Sequence, residues 1–127
     1  MINKDIIIVA GAPASGKSTI AELLKKELQS PEIDFGNLRD IHLHTPDWSD
    51  ATDEDEAMTF ENLTLIIDNY LKHGYKNIII HDFKDSRIAQ LPDFFKDKKF
   101  TMITLTVSDE GLLAKRIQAR ESGFRDV

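Results

Sequence analysis

Ile6-Ile7-Ile8-Val9-Ala10-Gly11-Ala12-Pro13-Ala14-Ser15-Gly16-Lys17-Ser18-Thr19 is the stretch that decides the fold. Its first five residues form an apolar, mostly β-branched run without polar alternation, the pattern of a strand buried on both faces. From about Lys17 to Gln29 the period becomes helical, with Ile20, Leu23, Leu24 and Leu28 on one stripe and Glu22 four residues before Lys26. Ser30-Pro31 ends that helix. Between strand and helix, Gly11 to Ser18 satisfies G-x-x-x-x-G-K-[ST] without mismatch. Gly11 and Gly16 allow successive N–H groups to turn inward as an anion nest, and the following helix adds its unpaired N–H groups and positive end. The nest would comprise Gly11, Ala12, Pro13, Ala14, Ser15, Gly16, Lys17, Ser18 and Thr19. Lys17 would reach the outer phosphates of a nucleotide, and the Ser18 hydroxyl would ligate Mg²⁺. The bland alternative is a glycine-rich turn carrying a solvated lysine.

Working outward, a short second strand is expected around Ile33–Phe35. A longer helix follows, with Leu63, Ile66, Ile67, Tyr70 and Leu71 at helical spacing and Gly74 as its C-cap. Asn77-Ile78-Ile79-Ile80-His81 reads as a third strand and Met102 to Val107 as a fourth. Ser108, with Asp109 and Glu110 behind it, is expected to cap a last helix through about Glu121. Strands alternating with helices argue for an α/β fold with a mostly parallel sheet of about four strands flanked by helices, in one domain over residues 1–127.

Composition narrows the chemistry. With 127 residues the chain fits one domain, and 41% hydrophobic with 30% charged residues is an ordinary globular mixture. It holds no cysteine, which excludes disulfides, thiolate metal sites and cysteine nucleophiles. The net charge of -6 argues against a general nucleic-acid surface. No apolar run is long enough for a membrane span and no signal peptide is evident, so a cytoplasmic protein is expected.

Asp82 ends the third strand. Ligands bind beyond the carboxyl ends of parallel strands, so this carboxylate is a candidate to hold Mg²⁺ or to accept the acceptor's proton. Its alternative is an aspartate that starts a loop or caps the next helix. Arg116 and Arg120, four residues apart beside Lys115, read either as an anion-binding face or as a solvated basic one.

Together these residues resemble a P-loop small-molecule kinase of the adenylate, shikimate and gluconate kinase-like group. The resemblance implies ATP and Mg²⁺ as cofactors and transfer of the γ-phosphoryl to a small acceptor: a nucleotide, a nucleoside, or a sugar or acid hydroxyl. Gly36-Asn37-Leu38-Arg39 is similar to the group's acceptor-binding stretch, which makes Arg39 an acceptor-binding arginine and Asp34 a polar contact near it. The segment Leu113 to Arg125 resembles the helix entering the group's mobile lid, which implies phosphate contacts for Arg116 and Arg120. In that group the chain continues through a fifth strand and a final helix. Their expected absence leaves the fourth strand, Thr101–Val107, as an open edge that invites self-association. Two rival readings are a nucleotide-binding module without transfer activity and a nucleic-acid end kinase.

Other features have simpler readings. Thr52 with Asp55 fits a capping box, and the acids from Asp47 to Glu56 favour a helix start, although Trp48 could line an acceptor pocket. His42-x-His44 has too few partners for a metal site. Leu91-Pro92-Asp93-Phe94-Phe95 reads as a short packed helix, and His81 as a packed strand residue.

Overall fold

In the computed structural model, which describes residues 3–11, 16–43, 51–107 and 115–121, strand β1 (Ile6–Gly11) is buried at every position. The chain continues through helix α1 (Lys17–Leu28), strand β2 (Glu32–Asp34), helices α2 (Phe35–Asp40) and α3 (Asp53–Lys72), and strand β3 (Ile78–His81). Two short helices, α4 (Asp85–Ile88) and α5 (Leu91–Phe94), lead to strands β4 (Phe100–Val107) and β5 (Lys115–Glu121). The sheet order is β2-β3-β1-β4-β5. Its first four strands are parallel, as the alternation of apolar runs and helices requires.

Successive residues of β1 point to opposite sides, so one strand feeds two cores. Ile6 and Ile8 join Phe35, Leu63, Ile67, Ile78 and Ile80 under α3. Ile7 and Val9 join Ala21, Ile79, Ile103 and Leu105, against which Ile20, Leu24 and Leu28 of α1 pack. Leu23 lies outside that stripe and is exposed. Each fully buried Ile or Leu contributes about 1.5–3 kcal/mol of transfer free energy.

Local chemistry sets the boundaries. Gln29 adopts a left-handed conformation that closes α1, and Gly74, at φ 91°, ends α3 one residue beyond His73. Thr52 and Asp55 form the expected reciprocal capping box at the start of α3. The second strand stops at Asp34 because that carboxylate caps α2, accepting from Asn37 N at 3.0 Å. Phe35, expected at the end of the strand, therefore opens a helix.

The C-terminal segment differs more. Residues 115–121, expected as the end of a helix, form an antiparallel fifth strand. The physical reason is the edge of β4, whose backbone groups need partners. Ile117 and Ala119 register opposite Leu105 and Ile103. The edge of β4 that was expected to be open is thus paired, which removes the basis for self-association through it.

Buried charge joins α2 to α3. Arg39 (5% exposed) places Nη1 3.1 Å from Oε2 of Glu56 (2% exposed). Arg87 Nε lies 3.4 Å and Lys84 Nζ 3.9 Å from the same carboxylate. Removing a partner from a buried pair leaves an uncompensated charge. Glu56→Ala is therefore expected to lower unfolding free energy by about 3–5 kcal/mol in urea titrations. A loss below about 1 kcal/mol, the size of an exposed pair, would contradict this account.

Candidate phosphate-binding site

Parallel pairing aligns the carboxyl ends of three strands. Asp34 at the end of β2 registers with His81 at the end of β3, and His81 registers with Val9 of β1. Just beyond that level lie Gly11, which ends β1 at φ 149°, and Asp82, which follows β3. Gly16 (φ 94°, ψ 22°) then directs the chain into α1 in a left-handed conformation that a side chain would strain.

The start of α1 contrasts with that of α3. The first turn of α3 holds Asp53, Glu54, Asp55 and Glu56 besides its capping box. The first turn of α1 has no acidic residue, and no side chain caps it. Among the described residues its first N–H groups thus have no acidic or capping side chain, an arrangement that fits phosphate. Lys17 is half-buried at that end, and the next residue, Ser18, is exposed.

Opposite stands a carboxylate pair. The Asp82 carboxyl hydrogen-bonds Asp34 and has its pKa pushed up to about 6. Desolvation is the largest cause, followed by the hydrogen bond to Asp34 and repulsion from its charge; His81 and Lys17 pull in the opposite direction. Although Asp82 is exposed as a residue, its carboxyl is desolvated on the side that meets Gly36. A Cβ at Gly36 would collide with Asp82 Oδ2 and lie 3.2 Å from Asp34 Oδ1. Asp82 also adopts φ 72°, a conformation for which aspartate and asparagine are better suited than most L-residues. Below the pair, buried His81 places Nε2 2.6 Å from Glu32 Oε2.

The structure brings together Lys17, Asp34 and Asp82 from the sequence-derived set, with Ser18 next to Lys17 in α1. The Arg39 guanidinium is buried and turns inward to Glu56 between α2 and α3. Arg116 and Arg120 lie on β5, registered opposite Thr106 and Met102, not on a lid helix. A spacing of four residues is compatible with either period, which is why their pairing in sequence could not distinguish the two. Ala12, Pro13, Ala14 and Ser15, together with His44, Trp48 and Arg125, lie outside the described residues. His42 is paired with Asp55 at 3.3 Å. Sequence reasoning missed Gly36 as a spacer; the available signal was a glycine two residues after an acidic strand end.

A family model described as "AAA domain" matches residues 7–126. Among solved structures, a sugar kinase from Janibacter sp. HTCC2649 is 21% identical, with a TM-score of 0.56 over 83% of this chain and 61% of that one. A chain of a Pnkp1/Rnl/Hen1 complex is 16% identical, with a TM-score of 0.55 over 82% of this chain and 36% of that one. A second such match, from the Pnkp1/Rnl/Hen1 RNA repair complex, is 18% identical with a TM-score of 0.52, over 80% of this chain and 32% of that one. This chain therefore spans about three fifths of the sugar kinase and about a third of the repair-complex chains. At these identities the likeness is one of fold. A comparison with curated protein sequences gave no match. Among the described residues no helix is long and apolar enough to cross a membrane.

The carboxylate pair has a thermodynamic signature. Asp82 ionises around its usual 3.8 when unfolded and about 6 when folded, so between those values the folded state holds the extra proton. Its contribution to stability is therefore present at low pH and lost as pH rises through about 6. Asp82→Asn, which tolerates the same backbone conformation, is expected to raise the melting temperature at pH 8 more than at pH 4.5. An equal change at both pH values would refute the coupling.

Proposed function

The chain belongs to the AAA domain family, with a P-loop kinase-like α/β fold, and from that premise we propose that it is an ATP- and Mg²⁺-dependent phosphotransferase acting on a small hydroxyl- or phosphate-bearing acceptor. One observation carries this reading. The uncapped, acid-free start of α1 stands at the same sheet edge as a carboxylate pair whose Asp82 feels the charge of Lys17.

The residues fit both cofactors. The N-terminus of α1 and Lys17 suit a nucleotide's phosphates, while the exposed Ser18 hydroxyl and the Asp82 carboxylate suit Mg²⁺. When bound, the ion supplies neutralisation of phosphate charge. Lys17 holds the transferring group and stabilises charge that builds on its oxygens. As the alternative to holding the ion, the Asp34–Asp82 pair receives the proton leaving an acceptor hydroxyl, which it can do once it has given up the proton it shares at lower pH. Gly36 sets the spacing of that pair, since any side chain there would displace Asp82.

The likeness to a sugar kinase and to chains of an RNA repair complex motivates both sugars and 5′-hydroxyl oligonucleotides as acceptors to test. The net charge of -6 favours the small molecule. A second reading, a nucleotide-binding module without transfer activity, draws on the position of Arg116 and Arg120 on a strand, away from any lid helix.

Incubation with Mg-ATP and sugars, nucleosides, nucleoside monophosphates, shikimate-like acids or 5′-hydroxyl oligonucleotides is expected to yield one phosphorylated product class. Lys17→Ala should reduce its formation by about 100-fold or more without changing the circular dichroism spectrum. Unchanged turnover in that variant would refute the proposal. Calorimetric ATP binding with no product from any acceptor would favour the module.

A further inference from the structure

A cleft of about 590 Å³ lies between the first half of α3 and the α4–α5 segment. That volume is typical of small-molecule sites. None of Lys17, Asp34 or Asp82 lines it, so it is separate from the phosphate-binding site. Its apolar wall is built around Phe60 and Phe94, whose rings lie 4.8 Å apart at 58°. Phe94 is exposed, although Phe60 behind it packs on Phe35 and Phe83.

The cleft's charge is one-sided. Four carboxylates line it, from Asp53, Glu56, Glu61 and Asp93, against the single guanidinium of Arg87. That guanidinium is already engaged, with Nη2 3.3 Å from Asp53 Oδ1 and Nε 3.4 Å from Glu56 Oε1. Glu56 is buried and its carboxylate is also held by Arg39 Nη1 at 3.1 Å and Lys84 Nζ at 3.9 Å, so the uncompensated charge of the cleft is that of Glu61 and Asp93. The side-chain carboxylates of Glu61 and Asp93 have neither an ion-pair nor a hydrogen-bond partner among the described residues. No three ligating side chains among the described residues converge on a point that could hold a metal ion. The excess negative charge is thus spread along an aromatic wall.

We infer that this cleft binds a small organic cation: an amidinium, guanidinium or primary amine carried on an aromatic or aliphatic body. The body covers Phe60 and Phe94, which also offer their ring faces to the positive charge. The head lies against the exposed carboxylates of Glu61 and Asp93, which no cation among the described residues pairs. This inference is independent of the proposed phosphotransfer, because it uses neither the phosphate-binding residues nor their chemistry.

Calorimetric titration with benzamidine, and with its neutral isostere benzamide, tests it directly. Benzamidine is expected to bind saturably at one site, with benzamide weaker by about tenfold or more. The double variant Glu61→Gln/Asp93→Asn should weaken benzamidine by about tenfold while leaving the melting temperature and ATP binding unchanged. Equal binding of the two probes, unsaturable binding, or undiminished affinity in the double variant would overturn the inference. Binding of a tri-lysine peptide without binding of benzamidine would also overturn it, in favour of a basic polypeptide. Loss of ATP binding in Lys17→Ala with benzamidine binding intact would support the separateness of the two sites.

Discussion

Parallel pairing of β1 with both its neighbours is the constraint on which the rest of the molecule depends. Ile6 to Ile8 pair with Ile78 to Ile80 on one side and with Phe100 to Met102 on the other. Because the strands run in the same direction, everything that follows a strand must emerge at one edge of the sheet. Gly11, Asp34 and Asp82 are far apart in sequence but share that edge for this reason alone. The two cores divided by β1 then hold the helices that fix each turn, with α1 on one face and α3 on the other.

Charge is treated in opposite ways at two places in the same fold. Beneath α2, the buried Glu56 is surrounded by Arg39, Arg87 and Lys84, so the cost of desolvating its charge is offset by close partners. At the sheet edge, Asp34 and Asp82 meet as like charges, and one proton relieves their repulsion. The first arrangement holds helices together. The second opposes the compact state at neutral pH.

Much of this was legible in the sequence, and the reasons can be traced to particular residues. The isoleucine runs at 6–8 and 78–80 have no polar alternation, so only strands buried on both faces suit them. The glycine spacing at 11 and 16 admits few turns other than the observed strand-to-helix passage. Asp82 could be named from the end of an apolar strand and Asp34 only from the resemblance carried by Gly36 to Arg39, while their meeting depended on the register between β2 and β3, which no local pattern encodes. The pairing of Arg39 with Glu56 was not legible, because a motif records residue order and not which face of α2 turns inward. The segment at 115–121 was misread for a related reason. Its charges suit a helix, while the unpaired backbone of β4, a tertiary demand, selects a strand.

The bare start of α1 has one more consequence. A helix that carries its own acidic cap is finished by its sequence, as α3 is. Among the described residues the helix at α1 has no such cap. An anion bound there would act as the missing cap, so its free concentration would enter the folding equilibrium by mass action. The fraction of folded protein would then follow the anion supply around it.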